Sequence, residues 1–247
     1  MRAARGKCVV AANASAAAQR ARKMSKSNGR GRNDSMRRPR VLLADDHLML
    51  VDALRTVLEP RCEVVGSVTD GRSLLEAADM LRPDVIVLDI AMPQLNGLDA
   101  ARKLQQKMPA VKLIFMTMNE DPYLVGEAFR AGASAFLLKQ AAGLELIDAI
   151  EQVLKGGRYV TPRAAKGLTN IALREPKSRE NAPGPSGRER EVIQLLAEGR
   201  TMKEAAAMLK ITTRTVAAHK YHAMELLQIE SNAELVQYAI KHRIISV

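Results

Sequence analysis

The sequence predicts a doubly wound α/β domain on a five-stranded parallel sheet, followed by a second, smaller all-α unit of four helices. For the first part, short runs of Val, Ile and Leu between residues 40 and 157 alternate five times with segments of helical periodicity. Near-continuous apolar strands of that kind imply a parallel sheet covered by helices on both faces. For the second part, four short helical patterns follow from Ser186, after a stretch rich in Pro, Gly and charge.

VLLAD (41–45) reads as strand and LMLVDALRTVLE (48–59) as helix. The alternation continues with EVVGSV and SLLEAADML, VIVLD and LDAARKLQQKM, KLIFMT and YLVGEAFRA, AFLLK and LELIDAIEQVL. Ligands of such sheets bind outside the carboxyl ends of the strands. Those ends carry Asp45 and Asp46, then Asp89, then Thr117, then Lys139. Singly, each is ordinary: acids after strands are solvated, a terminal Thr suits a strand, and Lys lies on surfaces. Together they bring three carboxylates to one edge, and their mutual repulsion calls for a cation. Hard oxygen ligands, few in number and completed by water, describe Mg²⁺ rather than zinc. One carboxylate can then act as nucleophile towards a phosphoryl group whose oxygens are neutralised by Mg²⁺ and the Lys139 ammonium. Thr117 can donate a hydrogen bond to the product.

The chain of 247 residues, 47% hydrophobic, is long enough for two cores. Its net charge of +11 suggests a polyanion binder throughout, but the distribution says otherwise. Residues 1–40 hold 12 Lys or Arg against 1 acid, Asp34, and residues 41–247 balance at 26 basic and 26 acidic. Within that balanced part, 41–160 is acidic (12 basic, 17 acidic) and 161–247 basic (14 basic, 9 acidic), which suits a cation or phosphoryl site followed by a polyanion-binding unit. The cysteines, Cys8 and Cys62, have neither metal-ligand spacing nor a bridge framework, so a reducing, cytoplasmic setting is expected. No apolar run reaches the roughly 18 residues of a membrane span. The opening residues resemble a signal peptide superficially, but Asn13 interrupts a short apolar patch, and residues 1–38 read as a disordered basic tail. The expected boundaries are a first domain at 39–157, a linker at 158–182 with one helical turn at AAKGLTNIAL (164–173), and a helical domain at 183–247.

In the helical domain, Gly199 ends the first pattern, Thr201 caps the second, Thr212 the third, and Ser231 the fourth with Glu234 completing a capping box. About three residues, Lys210 to Thr212, join the second and third helices, which is helix-turn-helix spacing. Val216, Ala223 and Leu227 mark the core face of the third helix. Arg214, Ala217, Ala218 and Tyr221 mark another, which periodicity alone assigns to solvent.

ADDH, VLDIAMPQLNG, FMT and FLLK, over roughly residues 40–157, resemble the flavodoxin-like receiver domain of two-component response regulators. The resemblance implies that Asp89 is the phosphoacceptor, and that Asp45, Asp46 and the Ala91 carbonyl hold Mg²⁺ with it. Thr117 becomes the switch hydroxyl, Phe136 the switch aromatic and Lys139 the phosphoryl clamp. Pro93 and Gly97 fit the turn after Asp89, where Pro fixes φ and Gly relieves a steric limit. Ala91, two beyond Asp89, cannot orient a hydrolytic water as a polar side chain could, so the phosphoryl group is expected to be lost slowly.

EREVIQLLAEGRTMKEAAAMLKITTRTVAAHKYHAMELLQI followed by NAELVQYAI resembles the LuxR-type helix-turn-helix, and the order of the two domains resembles the NarL/FixJ family. That resemblance implies a transcription regulator, not an enzyme beyond its own phosphotransfer and dephosphorylation, with a histidine kinase and double-stranded DNA as partners. It places helix 213–227 in the major groove, with Thr201, Lys203, Thr213 and Thr215 near phosphates. Arg214, Ala217, Ala218, Lys220 and Tyr221 fall at or near the bases, and Ala233 to Lys241 in a homodimer contact. Gln228 stands where relatives carry Gly and Gly187 where they carry a helix-starting Pro, so weaker helix ends are expected. His219 and His222 are three apart without a third ligand, which favours packing or phosphate contact over a metal. Two other readings are a frozen receiver with constitutive DNA binding, and a phosphotransfer enzyme with a helical interaction domain. The intact set of Asp45, Asp46, Asp89, Thr117 and Lys139 speaks against the former; salt-insensitive binding would mark the latter.

Overall fold

The computed structural model describes residues 37–119, 121–165 and 184–245. Almost all of the basic tail, and the helical turn expected at 164–173 apart from its first two residues, lie outside the described residues. The elements run β1 (Arg40–Ala44), α1 (Leu48–Leu58), β2 (Glu63–Val68), α2 (Gly71–Leu81), β3 (Val85–Asp89), α3 (Gly97–Lys107), β4 (Lys112–Thr117), α4 (Pro122–Arg130), β5 (Ala135–Leu138), a 3₁₀ turn (Lys139–Ala141), α5 (Ala142–Leu154) and β6 (Tyr159–Val160). Four helices follow: α6 (Gly187–Ala197), α7 (Met202–Leu209), α8 (Thr213–Leu227) and α9 (Asn232–Lys241).

The strand order is β2-β1-β3-β4-β5-β6, and every pairing is parallel. Successive residues point to opposite faces, so each strand feeds two cores. Leu42, Ile86, Leu88, Leu113, Phe115 and Phe136 pack with α2, α3 and α4. Val41, Leu43, Val85, Val87, Ile114 and Leu137 pack with α1 and α5. Burial on both faces is why these strands are apolar without alternation.

The sheet has six strands, not the five expected. Gly156, at φ +86°, turns the chain after α5, and Tyr159 and Val160 pair with Ala135 and Phe136. Periodicity cannot reveal a two-residue strand. What fixes it is tertiary: Tyr159 packs against one core and Val160 against the other. The buried Thr161 hydroxyl accepts from the Leu138 N–H at 3.2 Å and donates to Glu145 at 2.8 Å. The segment 158–161, expected as linker, therefore belongs to the sheet.

The four C-terminal helices close over two clusters, Val192, Leu195, Ala205, Leu209 and Val216 in one, Ile193, Ala223, Met224, Leu235 and Ala239 in the other. Ser186 and Thr201 each make a full capping box, with Glu189 and Glu204 respectively. Ser231 caps α9 by accepting from the Glu234 N–H at 3.2 Å, but the Glu234 carboxylate accepts in turn from the N–H of Glu230, one residue before Ser231, at 2.9 Å. Gly199, just beyond α6, takes φ +82°, as a helix-ending glycine does. Gln228 must adopt the same left-handed region, at φ +55°, with a Cβ that crowds it. Gln228→Gly is therefore expected to stabilise the protein by about 0.5–1 kcal/mol in urea denaturation. A variant no more stable than the parent would refute strain at this position.

Candidate functional site

The strand order reverses between β1 and β3, and at such a switch point the loops part to leave a crevice. Asp45 follows β1 on one side, and Asp89 ends β3 on the other. Lys139 reaches the crevice from the end of β5, its side chain only 5% exposed. Its ammonium lies 2.8 Å from Asp45 Oδ2 and 2.8 Å from Asp89 Oδ2. Asp89 Oδ1 accepts from the Ile90 N–H at 2.6 Å. Burial pushes the Asp89 carboxyl above the usual carboxylate range, with Lys139 pulling it back only in part. Burial also opposes charge on Lys139, but the attraction of Asp89 and the hydrogen bonds to both carboxylates outweigh it and raise the ammonium pKa.

Asp45, Asp46, His47 and Asp89 each offer a ligand atom, and these atoms lie within 4.8 Å of one another. Asp45 and Asp89 are buried while Asp46 and His47 are exposed, so the cluster opens to solvent on one side. Oxygen donors of this kind fit a hard divalent cation with water completing its shell. His47, not singled out by the sequence, sets its Nδ1 3.1 Å from Asp45 and 3.0 Å from Asp46. Thr117 ends β4, buried, and its hydroxyl accepts from the Asn119 N–H at 3.2 Å. Ala91 lies in the loop from Ile90 to Asn96 that leads into α3. Phe136 is wholly buried, on the α2–α4 side of the sheet.

On α8, the Thr212 hydroxyl caps the helix by accepting from the Thr215 N–H at 3.1 Å. Thr213, Arg214, Ala218 and Tyr221 are exposed, Thr215 and Ala217 half-buried. Lys220, expected at or near the bases, is instead 8% exposed. It stands four residues after the core residue Val216 and thus on the packed side of the helix. Thr201 and Lys203 are exposed, although the Thr201 hydroxyl is occupied in capping α7. His222 Nδ1 lies against the buried carboxylate of Glu189 of α6. Ala233, Gln237, Ile240 and Lys241 of α9 are exposed.

A polar seam between the two domains is marked by no local pattern of residues. Arg190 of α6 pairs with Asp99 of α3 at 2.7 Å, and the buried Glu191 meets Arg72 at 3.2 Å and Lys103 at 2.5 Å. The signal available was weak: charged and amide side chains on a helix whose residues 191–195 are all buried.

The family profile for the response regulator receiver domain matches residues 41–151, and that for bacterial regulatory proteins of the luxR family matches 186–239. The oxygen regulatory protein NreC of Staphylococcus carnosus is 31% identical over 214 residues, which cover 83% of this chain and 99% of that one. The transcriptional regulatory protein MctR of Rhizobium johnstonii is 32% identical over 209 residues, covering 84% and 95%. Among solved structures, the Salmonella typhimurium RcsB response regulator aligns over 82% of this chain and 97% of its own, with a TM-score of 0.57 and 27% identity. An RcsB–DNA complex aligns over 81% and 97%, with a TM-score of 0.53 and 26% identity. With both of its domains matched, in this order, the chain belongs to the NarL/FixJ family of two-component response regulators, transcription regulators that join a receiver to a luxR-type DNA-binding domain.

Proposed function

We propose that Asp89 accepts a phosphoryl group from a histidine kinase and that its phosphorylation controls dimerisation and sequence-specific DNA binding. The single observation that carries this reading is the convergence of Asp45, Asp89 and the Lys139 ammonium, 2.8 Å from each carboxylate, at the switch point of the sheet. An Asp89 oxygen attacks phosphorus, the bond from phosphorus to the kinase histidine breaks, and its electron pair stays on that nitrogen. Asp45, Asp46, Asp89 and the Ala91 carbonyl are the residues that would hold Mg²⁺, which would supply positive charge opposite the phosphoryl oxygens. Lys139 adds a second cation there, and Thr117 donates its hydroxyl to a phosphoryl oxygen.

The face of Arg214, Ala217, Ala218 and Tyr221, with the less exposed Lys220 beside it, is the proposed base-reading surface, flanked by Thr213, Thr215, Thr201 and Lys203 towards the backbone. The exposed side of α9, Ala233 to Lys241, is the proposed homodimer contact, and the cytoplasm the proposed compartment. The proposed domains are the receiver from 39, taken past 157 to include β6, and the DNA-binding unit at 183–247, joined by a linker through 182 and preceded by the basic tail, residues 1–38.

The test is a titration of the protein against promoter fragments, with Mg²⁺, with and without a small phosphodonor, beside Asp89→Ala. The donor is expected to tighten binding and Asp89→Ala to abolish that gain; equal binding by both proteins would make the receiver a bystander. Ala91 bears on lifetime, because its methyl group cannot orient a water at the phosphoryl group. Ala91→Asn is expected to speed loss of the phosphoryl group about tenfold or more, followed by phosphate-affinity electrophoresis. An unchanged half-life would refute a role for this position.

A further inference from the structure

Residues Arg38–Val247 form one compact unit, and the seam inside it grips one loop in particular. Gln194, in the middle of α6 and 1% exposed, donates its amide N–H to the Met92 carbonyl at 2.9 Å. Its amide oxygen accepts from the Asn96 N–H at 2.7 Å. One turn later, Glu198 accepts from the Gln94 N–H at 2.9 Å and from Gln194 at 2.8 Å. The Asn96 side chain reaches across to the Arg243 carbonyl, just after α9, at 2.9 Å. The C-terminal domain thus binds the main chain of the loop that begins directly after Asp89.

Two features make that grip consequential. Gln94 sits at φ +65°, a left-handed conformation that a non-glycine residue keeps only when its surroundings hold it. Glu198 supplies that hold. Buried main-chain groups cannot be left without partners, so a loop that moves away from Gln194 must find others or open the seam. In the present arrangement Lys139 lies between Asp45 and Asp89, and Asp89 Oδ1 is tied back to the Ile90 N–H at 2.6 Å. Turning both carboxylates towards a cation breaks these contacts and pulls on the Ile90–Met92 main chain. Meanwhile Arg214, Ala218 and Tyr221 stay exposed, so the seam does not act by covering the DNA-reading face.

We propose that Gln194 and Glu198 are positioning residues for the phosphoacceptor loop: α6 of the DNA-binding domain holds that loop in its resting geometry and so opposes loading of Asp89. Loading of Asp89 and release of α6 are then one coupled equilibrium, and the coupling acts equally in both directions. The proposal rests on the reading of Asp89 as phosphoacceptor.

The full chain, Gln194→Leu and Glu198→Ala are titrated with beryllofluoride in the presence of Mg²⁺ by calorimetry, with Asp89→Ala as the blank. Hydrogen exchange of residues 186–198 is followed in parallel. Both variants are expected to bind the phosphoryl analogue about fivefold or more tightly than the parent, the lower end of allosteric couplings. Loading of the parent is expected to speed exchange in α6. A merely structural role for these side chains would not tighten binding at Asp89. Glu198 is partly exposed, so its variant keeps the test open if Gln194→Leu does not fold. If the parent binds the analogue through Asp89 but both variants bind it no more tightly, or α6 is unaffected by loading, this proposal alone falls. If the parent and Asp89→Ala behave alike, the phosphoacceptor reading falls and takes the proposal with it.

Discussion

Gly97→Ala is expected to lower the unfolding free energy by about 3 kcal/mol or more and to abolish loading of Asp89. Gly97 opens α3, and its N–H donates to the Ile90 carbonyl at 2.8 Å, drawing the helix start against the end of β3. An alanine Cβ there would lie 2.0 Å from the Asp89 carbonyl oxygen and 3.0 Å from the Ile90 Cα. Both are main-chain atoms at the end of a central strand and cannot swing aside as a flexible side chain does. Either α3 moves away, breaking the packing of Ala100, Ala101 and Leu104, or the Asp89 peptide turns, carrying the carboxylate away from Lys139. Urea denaturation reads the first effect and beryllofluoride titration the second. Stability within about 1 kcal/mol of the parent, with normal loading, would mean that the loop absorbs the methyl group and that the contact is not decisive.

Phe136→Ala is expected to cost about 3–5 kcal/mol, the range for emptying the space of a buried phenylalanine. Phe136 is fully buried in β5, beside Phe115 of β4, and packs with Leu88, Leu138 and Ala164. Its carbonyl also accepts from the Thr161 N–H at 3.0 Å, so the variant loosens the strand on which β6 depends. The denaturation midpoint should fall with little change in slope, because the same surface is exposed on unfolding. Phe136→Leu, which leaves most of the volume filled, should cost clearly less. Equal losses in the two variants would point to the shape of the ring rather than to the cavity.

The acid pair after β1, the aspartate that ends β3 and the lysine after β5 were legible because the positions depend only on where each strand stops. Parallel topology then brings all the carboxyl ends to one edge. The capped helices of the C-terminal domain were legible for a similar reason, since Thr201, Thr212 and Ser231 act on N–H groups within three residues. The burial of Lys220 was not legible: the resemblance put it at or near the bases by position alone, and periodicity did not include it on the face of Arg214, Ala217, Ala218 and Tyr221. Tertiary packing instead buries it and lays its ammonium 5.0 Å over the Tyr221 ring.

The sequence by itself determined the α/β and all-α division, the order of the elements and the chemistry gathered at the sheet edge. Strand periodicity, capping residues and strand ends are local properties, and topology converts them into a site. Only the tertiary structure decided the sixth strand and the grip of Gln194 and Glu198 on the loop after Asp89. Each of these joins groups whose pairing no local pattern encodes. A two-residue strand and a polar helix face acquire their meaning only when distant main chain lies against them and must have its hydrogen bonds satisfied.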